Sequence, residues 1–302
     1  MKSSPLKTLR VLTYNIQGLP AFVARFLRLD HSRYRKMGEA LRKMREHGIG
    51  PHIVALQEAF DDRVRELIEA SGYPHVLRGP SGGWIKTSAG LCFLSEFKII
   101  DSHHTVFGPG VGWDFLARKG AHLVSIEVPG LSKPVSILNT HLNSNPEAGW
   151  NWIPNFIAKG IRLFQAMHLR EFIARTWKRH SPLVCVGDFN FLRREDAYAS
   201  FVSRKDNLPS FQNALDVALK TAFHDNDTSK IHEYEAMVKD LEVQIDHQFV
   251  AASAPDLELH PVGFERKFHE PDNGQLLSDH HGLEIHYEIR DSVAASEAET
   301  GT

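Results

Sequence analysis

Short runs of apolar, β-branched residues recur along the whole chain and are separated by polar segments. Eight of these runs have the length and composition of buried β-strands. In chain order they are LRVLTYNI, HIVALQEA, GLCFLS, AHLVSIEV, PVSILNTHL, PLVCVGDF, VQIDHQFV and GLEIHYEI.

Three other segments, residues 34–47, 61–71 and 155–178, show the spacing of an amphipathic helix. The signal is strongest in the third segment, where four apolar residues fall on one face: Ile157, Ile161, Phe164 and Phe172. Along the chain, strands first alternate with helices and later follow other strands directly. This order predicts two packed sheets with helices outside, an α/β sandwich.

The chain is predicted to form one domain and a short tail. Its 302 residues contain no internal repeat and no linker rich in Pro, Gly and Ser. With 42% hydrophobic and 24% charged residues, it can bury a full core. We therefore expect a single domain over residues 1–290. Residues 291–302 are small, polar and acidic, and predict a disordered tail.

The formal net charge of −2 gives no general attraction to nucleic acid, which is therefore a less favoured partner. The first fifteen residues lack the apolar stretch of a signal peptide, and no run reaches the length of a membrane span. We expect a cytoplasmic protein without a transmembrane segment. Residues 19–31 mix apolar and basic residues; they either pack on the core, which we favour, or make a peripheral contact with a membrane. The oligomeric state is not indicated.

Several motifs suggest other chemistry but lack the context that it requires. Cys92 and Cys185 each lie inside an apolar run, which favours buried free thiols over a disulfide or a metal site. GPSGG at 79–83 matches the serine-hydrolase pattern, but a loop rather than a helix follows it. GPGVG at 108–112 lacks the Gly-Lys-Ser/Thr of a phosphate-binding loop. The pair His103-His104 is expected to face solvent.

Polar side chains stand just beyond the apolar runs, a placement that core packing does not require. They are Asn15, Glu58, His141, Asp188 and Asn190, which end or follow a run, and Asp279 and His280, which open the last one. Side chains at strand ends can converge on a cleft at one rim of a sheet, where loops carry function on a rigid scaffold. We infer that these residues meet in one active site.

The set predicts a metal-assisted phosphoryl site. Glu58 supplies a carboxylate ligand, and Asn15 and Asp279 add oxygen ligands or hold metal-bound water. An oxygen-rich, cysteine-free set suits Mg²⁺, Mn²⁺ or Ca²⁺ better than Zn²⁺, and we expect Mg²⁺, with Mn²⁺ as a substitute. Such an ion polarises a phosphoryl oxygen and offsets charge on the leaving oxygen. Asn190 and His141 are expected to donate hydrogen bonds to the phosphate.

His280 is the predicted general base, because histidine titrates near neutral pH. Asp246, in QIDHQF, is placed to hold the His280 ring in the productive tautomer. Asp188 is expected to orient the attacking water. The neighbouring His281 remains an alternative to His280 as the base.

Six motifs spread over nearly the whole chain resemble those of the endonuclease/exonuclease/phosphatase superfamily. They are TYN at 13–15, LQE at 56–58, NTHL at 139–142, GDFN at 187–190, QID at 244–246 and SDH at 278–280. The resemblance implies a catalytic domain built as a four-layer α/β sandwich with two mixed sheets. It also implies Mg²⁺ bound through Glu58 and in-line attack by water activated at His280. The same resemblance supports the roles given above for Asp188, Asn190, Asp246 and His141.

Finer features resemble the neutral sphingomyelinase branch. His141 in NTHL is expected in the branch that holds sphingomyelinases, DNase-I-like nucleases and phosphatases. QEAFD at 57–61 and the segment YNIQGLP resemble sphingomyelinase motifs. DFLARKG at 114–120 resembles a stretch whose lysine, here Lys119, helps to set up the active site. On this resemblance, Lys119 supplies a cation to the phosphate.

These features together predict a Mg²⁺-dependent phosphodiesterase acting on a small phosphodiester or phospholipid, with sphingomyelin as the leading substrate. A nuclease is the alternative; it requires a basic rim, for which Arg193-Arg194 and Lys119 are the nearby candidates. A phosphomonoesterase of the same superfamily remains open, because the same groups serve both reactions. A non-catalytic binding protein ranks last, since Glu58 and the SDH motif are both present.

Overall fold

The computed structural model places most of the chain in two β-sheets and the helices that cover them. It describes residues 6–18, 32–79, 90–108, 110–111, 118–145, 154–205, 207–225, 228, 231–232, 244–251, 256–272 and 274–291. The segment 19–31, predicted to pack on the core or to contact a membrane, lies outside these residues. So do residues 80–83 of GPSGG, residues 109 and 112 of GPGVG, and residues 292–302 of the predicted tail. Asp291, the first residue assigned to the tail, still belongs to the last strand.

The first sheet contains six strands in the order β11-β12-β1-β2-β4-β3. Their bounds are β1 Thr8–Asn15, β2 Ile53–Gln57, β3 His75–Arg78, β4 Cys92–Ser95, β11 Leu257–Lys267 and β12 Gly282–Asp291. Strands β1 and β2 run parallel, and the other neighbours run antiparallel. The sheet is therefore mixed, as the resemblance implied.

The second sheet also contains six strands, in the order β5-β6-β7-β8-β10-β9. Their bounds are β5 Lys98–Val106, β6 Gly120–Glu127, β7 Val135–His141, β8 Leu183–Asp188, β9 Phe211–Asn213 and β10 Asp246–Ala251. Its one parallel pair is β7 and β8. Each sheet thus carries one parallel pair, whose carboxyl ends can present side chains at the same rim.

Helices cover both sheets, which makes four layers. The described helices are α1 Arg33–Glu46, α2 Val64–Ser71, α3 Asn155–Thr176, α4 Asp196–Val202 and α5 Ala214–His224. The pair α1 and α2 packs on the outer face of the first sheet, and α3 with α4 packs on the second. The core between the sheets is built from apolar residues of both and is closed at one side by α5. The predicted four-layer sandwich is confirmed.

Helix α3 was predicted correctly, but its buried face was not. Ile157 and Phe164 are 37% and 57% exposed, whereas the helix buries Arg162 and Arg170. The charged face can be buried because its groups are paired: Arg162 bonds Glu195, and Arg170 donates to backbone carbonyls. Apolar spacing alone does not reveal such partners, since they come from distant parts of the chain.

Several elements escaped the sequence prediction because they are short or carry mixed polarity. They are β3, β5, β9, β11, α4 and α5. Strand β11, for example, alternates buried and half-buried residues and contains Pro261 at a register shift. Cys92 and Cys185 are buried free thiols, as predicted. No helix of the described residues is both long and apolar enough to span a membrane.

Candidate active site

The candidate site lies where the carboxyl ends of the two parallel strand pairs meet. Asn15, the last residue of β1, pairs with Gln57 at the end of β2, and His141 of β7 pairs with Asp188 of β8. The Asn15 amide donates to Asp188 Oδ2 at 3.0 Å, which joins the two sheets directly. The strand ends that the sequence suggested would converge are therefore brought to one cleft.

Buried polar contacts beneath the cleft fix the register of one sheet on the other. Gln57 donates to Asn139 Oδ1 at 2.7 Å, and both side chains are fully buried. At Gly187, a Cβ atom would stand 2.0 Å from the Thr140 carbonyl oxygen, so only glycine allows β8 to approach β7 this closely. A shift of either sheet would leave buried polar groups unpaired and would move Asp188, the next residue.

Residues that follow the strands adopt left-handed backbone conformations. Gln17, Glu58 and Asn190 have φ angles of 49°, 55° and 53°. Such values are uncommon for residues other than glycine and often mark functional turns. Glu58 was predicted to end β2, but the strand stops at Gln57 and the chain turns at Glu58. Gly18 lies against this turn, where a Cβ atom would be 2.2 Å from the Glu58 carbonyl oxygen.

His280 and Asp246 form a hydrogen-bonded pair, called here the dyad. His280 Nδ1 lies 2.7 Å from Asp246 Oδ2, and its Nε2 lies 3.8 Å from Asp188 Oδ2. His280 was predicted to open the last strand; it lies instead in the loop two residues before β12. The ring of His281 faces His269, at a centroid distance of 6.4 Å, so the geometry favours His280 over His281 as the base.

Burial and neighbouring charge act in opposite directions on the dyad. Burial lowers the pKa of His280, but the carboxylates of Asp246, Asp188 and Asp279 outweigh it and hold this pKa well above its usual value. Burial also raises the pKa of Asp246, and the charge of Asp188 adds to this effect against the opposing charge of His280. Because both pKa values are raised, the dyad without a cation holds an additional proton near neutral pH, and Nε2 then carries a hydrogen. A divalent ion at the neighbouring carboxylates would lower both pKa values and free Nε2 to act as a base.

Asp188 is the buried centre of the site. Burial would raise the pKa of its carboxyl group, but the charges of His141, His280 and Lys119, with a hydrogen bond from His141, lower it below its usual value. Asp188 thus stays ionised beside Nε2 of His280. Its second oxygen accepts from the Asn190 backbone N–H at 3.0 Å. The carboxylate is held in place from both sides.

Lys119 and His141 lie together beside Asp188. Lys119 is only 4% exposed, and its Nζ is 2.6 Å from His141 Nε2. The same His141 nitrogen is 3.3 Å from Asp188 Oδ2. One tautomer cannot both accept from the ammonium and donate to the carboxylate at this nitrogen, so arrival of an anion can redistribute these bonds. The Asn190 side chain donates one N–H to the Leu142 carbonyl, and its amide has a second N–H to offer.

The predicted metal ligands surround the same cleft without all touching one another. Glu58 is half-buried, with Oε1 3.8 Å from His141 Nε2. Asn15 Oδ1 accepts from the Gln17 backbone, and Asp279 Oδ2 accepts from the Gln17 side chain, both at 3.0 Å. Together with Asp188 and Asp246, the side chains of Glu58 and Asp279 bring four carboxylates to the cleft, where few cations balance them. This charge favours binding of a divalent cation over binding of a phosphate alone.

Asp188, Asp246 and His280 also lie close enough together to share a metal ion. His280 uses Nδ1 for Asp246 and directs Nε2 toward Asp188, so no single ring nitrogen faces both carboxylates, and we assign these groups to the dyad and its neighbour. The oxygen ligands for a hard cation are then Glu58, Asn15 and Asp279. These catalytic and ligand roles remain predictions.

Sequence reasoning missed three residues that hold the site loops. The Arg33 guanidinium donates to the carbonyls of Ile16, Gln17 and Leu277 and so ties the loop after β1 to the loop before β12. Ser278 donates to the Asn15 carbonyl at 2.7 Å and accepts from the His280 backbone N–H. The SDH motif pointed to this serine, but no local signal marked Arg33 or Gln17.

Comparison with known proteins identifies the family. The model of the Endonuclease/Exonuclease/phosphatase family matches residues 12–280, which include every described strand end of the site. The chain belongs to this family. The predicted membership, and with it the sphingomyelinase-like resemblance, is confirmed by similarity to two curated relatives.

Both relatives are named as sphingomyelinases. One, from Dictyostelium discoideum, is 28% identical over 167 residues, which cover 46% of this chain and 36% of the relative. The other, sphingomyelinase C from Listeria ivanovii, is 27% identical over 168 residues, which cover 48% of this chain and 47% of the relative. The matches thus span less than half the length of each relative.

Solved structures support the fold. The crystal structure of SmcL aligns with a TM-score of 0.64 at 19% identity, covering 93% of this chain and 99% of that one. A beta-toxin variant from Staphylococcus aureus with bound magnesium ions aligns with a TM-score of 0.62 at 17% identity, covering 94% and 100%. At these identities the likeness establishes the shared four-layer fold.

Proposed function

We propose that this member of the Endonuclease/Exonuclease/phosphatase family is a Mg²⁺-dependent phosphodiesterase that cleaves its substrate with a water activated by His280. The observation that carries the proposal is the dyad, whose free nitrogen faces Asp188 beside Lys119. A base, an ionised carboxylate and a cation in one cleft form the set that hydrolytic phosphoryl transfer requires.

Asp246, His280 and Asp188 have different roles in activating the attacking water. Asp246 holds His280 through Nδ1, which leaves Nε2 to take a proton from water. Asp188, 3.8 Å from that nitrogen, can accept a hydrogen bond from the same water and fix its direction. The water is thereby oriented and deprotonated as it attacks phosphorus. The proton passes to Nε2, and the bond between phosphorus and the leaving oxygen breaks.

The phosphate group of the substrate would be bound by Lys119, His141 and Asn190. Lys119 is buried beside His141, so its charge acts through a poorly screening environment. The remaining Asn190 N–H and the His141 ring can donate to phosphate oxygens. Charge that develops on these oxygens in the transition state then meets donors already in place, which lowers the barrier.

Glu58, Asn15 and Asp279 are the residues that would hold Mg²⁺. Their oxygen atoms are the donors that a hard cation prefers, and the carboxylate excess of the cleft needs such a charge before an anion can bind. When bound, the ion would polarise a phosphoryl oxygen and stabilise the leaving oxygen. The magnesium ions in the beta-toxin structure support this choice of metal.

A phospholipid, with sphingomyelin as the leading case, is the substrate that we favour. Both curated relatives are named as sphingomyelinases. Gln165 of α3 accepts from the Asn143 backbone N–H at 2.8 Å, next to the strand end that carries His141. The first ten residues of the helix expose Phe156 and Phe164, at 72% and 57%. Exposed aromatic residues beside a site favour a lipid surface over a polyanion.

A nuclease remains the second candidate, but one of its predicted features is weak. Arg193 donates to Asp216 at 2.7 Å, so its charge is largely offset near the proposed basic rim. A phosphomonoesterase would use the same groups, so assays with a monoester and a diester substrate are needed to distinguish the two activities.

Parallel hydrolysis assays test the proposal. Sphingomyelin in mixed micelles, bis-p-nitrophenyl phosphate, p-nitrophenyl phosphate and duplex DNA should each be incubated with Mg²⁺ and with EDTA. Mg²⁺-dependent cleavage of sphingomyelin and of the generic diester supports the proposal in full. Cleavage of DNA or of the monoester alone would replace the substrate class. Cleavage that persists in EDTA would overturn the metal requirement.

A further inference from the structure

Strands β11 and β12 carry a second group of charged side chains, outside the candidate active site. Glu265 and Lys267 lie on β11, and Glu284 and His286 lie on β12, with Glu265 directly opposite Glu284. These four residues are called here the outer cluster. The alternate residues of β12, such as Ile285, belong to the core between the sheets, so the outer cluster lies on the opposite face.

Three members of the outer cluster offer metal-ligand atoms at close range. His286 Nε2 lies 2.8 Å from Glu284 Oε1 and 3.5 Å from Glu265 Oε1. One atom from each residue falls within 4.8 Å of the other two. An imidazole nitrogen with two carboxylate oxygens suits Zn²⁺ or another divalent transition metal better than Mg²⁺.

Glu284 supplies an independent reason to place a cation here. Its side chain is fully buried, and Oε2 has no hydrogen-bond partner among the residues that the structure describes. A buried carboxylate oxygen without a partner is costly, and its second oxygen is already shared by His286. The nearest ammonium, Lys267 Nζ, is 3.9 Å from Oε1 and pairs more closely with Glu265.

We propose that Glu265, Glu284 and His286 form a binding site for a divalent transition-metal ion of the zinc class. The ion would join β11 to β12 across the sheet and satisfy the second oxygen of Glu284. Lys267 would be its competitor, because the ammonium occupies the same carboxylates when no ion is bound. The site is separate from the Mg²⁺ site proposed for hydrolysis, and neither depends on the other.

Titration with Co²⁺, followed by its visible absorption, tests the site, with Zn²⁺ as a competitor. Among the residues that the structure describes, one other group combines a histidine with two carboxylates at metal-binding range, and the His280→Ala background removes it. In this background we expect one tight Co²⁺ site, weakened at least about tenfold by His286→Gln or Glu284→Gln. Lys267→Met should tighten binding, because it removes the competing charge. The matched control is His260→Gln, which removes a histidine 3.6 Å from Glu258 on the same β11 strand.

Two results would overturn the site. One is an unchanged Co²⁺ affinity in the His286→Gln variant. His286 is partly exposed, so the variant should fold, and circular dichroism checks that it does. The other is a Lys267→Met variant that binds Co²⁺ no more tightly than the His280→Ala background. The outer cluster would then be an ion-pair network that needs no metal. If Glu284→Gln fails to fold, these two variants still decide between the outcomes.

Discussion

Two clusters built from the same kinds of group lie near β12: one contains His280, from the loop before the strand, and the other lies on the outer face of the strand. The catalytic cluster comprises Asp188, Asp246, His280 and Lys119; the outer cluster likewise contains two carboxylates, a histidine and a lysine. In each, a histidine nitrogen lies 2.7 or 2.8 Å from a carboxylate oxygen. Composition alone therefore does not separate a catalytic group from a structural one.

What differs is how each histidine uses its two nitrogens. His280 bonds Asp246 through Nδ1 and keeps Nε2 for the cleft, 3.8 Å from Asp188. His286 turns Nε2 toward both of its carboxylates. The first arrangement leaves a nitrogen free to exchange a proton with water, and the second suits a fixed ion or ion pair. Placement in a loop beyond the strands, rather than on a strand face, creates this difference.

Metal removal should have the largest effect on the catalytic cluster. We expect EDTA to lower kcat/KM for bis-p-nitrophenyl phosphate by about 10³-fold or more, about 4 kcal/mol, because four carboxylates would then repel the substrate. Mg²⁺ or Mn²⁺ should restore activity. Zn²⁺ added at levels that saturate the outer cluster should not, and restoration by Zn²⁺ alone would contradict the assignment of the two sites.

His122 is a buried histidine without a carboxylate partner among the described residues, unlike His280 and His286, and we expect it to make the free energy of unfolding depend on pH. Burial and the charge of His104 lower the pKa of His122 to about 4. The unfolded chain, with a histidine pKa of about 6.5, takes up the proton first, so stability present above pH 6.5 is lost as the pH falls toward 4. His122 should contribute up to about 3 kcal/mol to this loss.

Urea unfolding at pH 7 and pH 4.5 measures that contribution. His122→Gln should lose less stability between the two pH values than the unchanged protein. The control His180→Gln alters an exposed residue and should lose as much as the unchanged protein. Equal losses in all three proteins would show that His122 is not buried in its neutral form.

The carboxylate of each pair can be neutralised separately. Asp246→Asn should lower kcat by about 10²-fold, about 2.7 kcal/mol, because the His280 ring loses its orienting acceptor. Glu284→Gln makes the same change in the outer cluster and should leave kcat within about twofold. Steady-state kinetics on the generic diester compares the two. Similar losses in both variants would mean that Asp246 acts only through folding.

The two lysines give the smallest expected difference. Lys119→Gln should lower kcat/KM by about tenfold, about 1.4 kcal/mol, since one of several phosphate-directed groups is lost. Lys267→Gln should have no measurable effect on hydrolysis. A Lys119→Gln variant with normal kinetics would assign that lysine to holding His141 in place.

The sequence allowed the architecture and the meeting of the polar strand ends to be predicted because both follow local rules. Strand runs mark the sheets, and polar residues such as Asn15 and Asp188 mark their ends. The contacts of Arg33 and Gln17 were not predictable, because they join loops more than 240 residues apart in the chain. The buried face of α3 was missed for the same reason: the partner of Arg162 is Glu195, beyond the next strand.

The central claim is that His280, through its free nitrogen, activates water, whereas His286 does not. The most direct test measures kcat/KM for bis-p-nitrophenyl phosphate in His280→Ala and His286→Ala side by side, at saturating Mg²⁺. We expect a loss of about 10² to 10⁴-fold for His280→Ala and a change within about twofold for His286→Ala, with both proteins folded. Comparable activity in the two folded variants would contradict the claim.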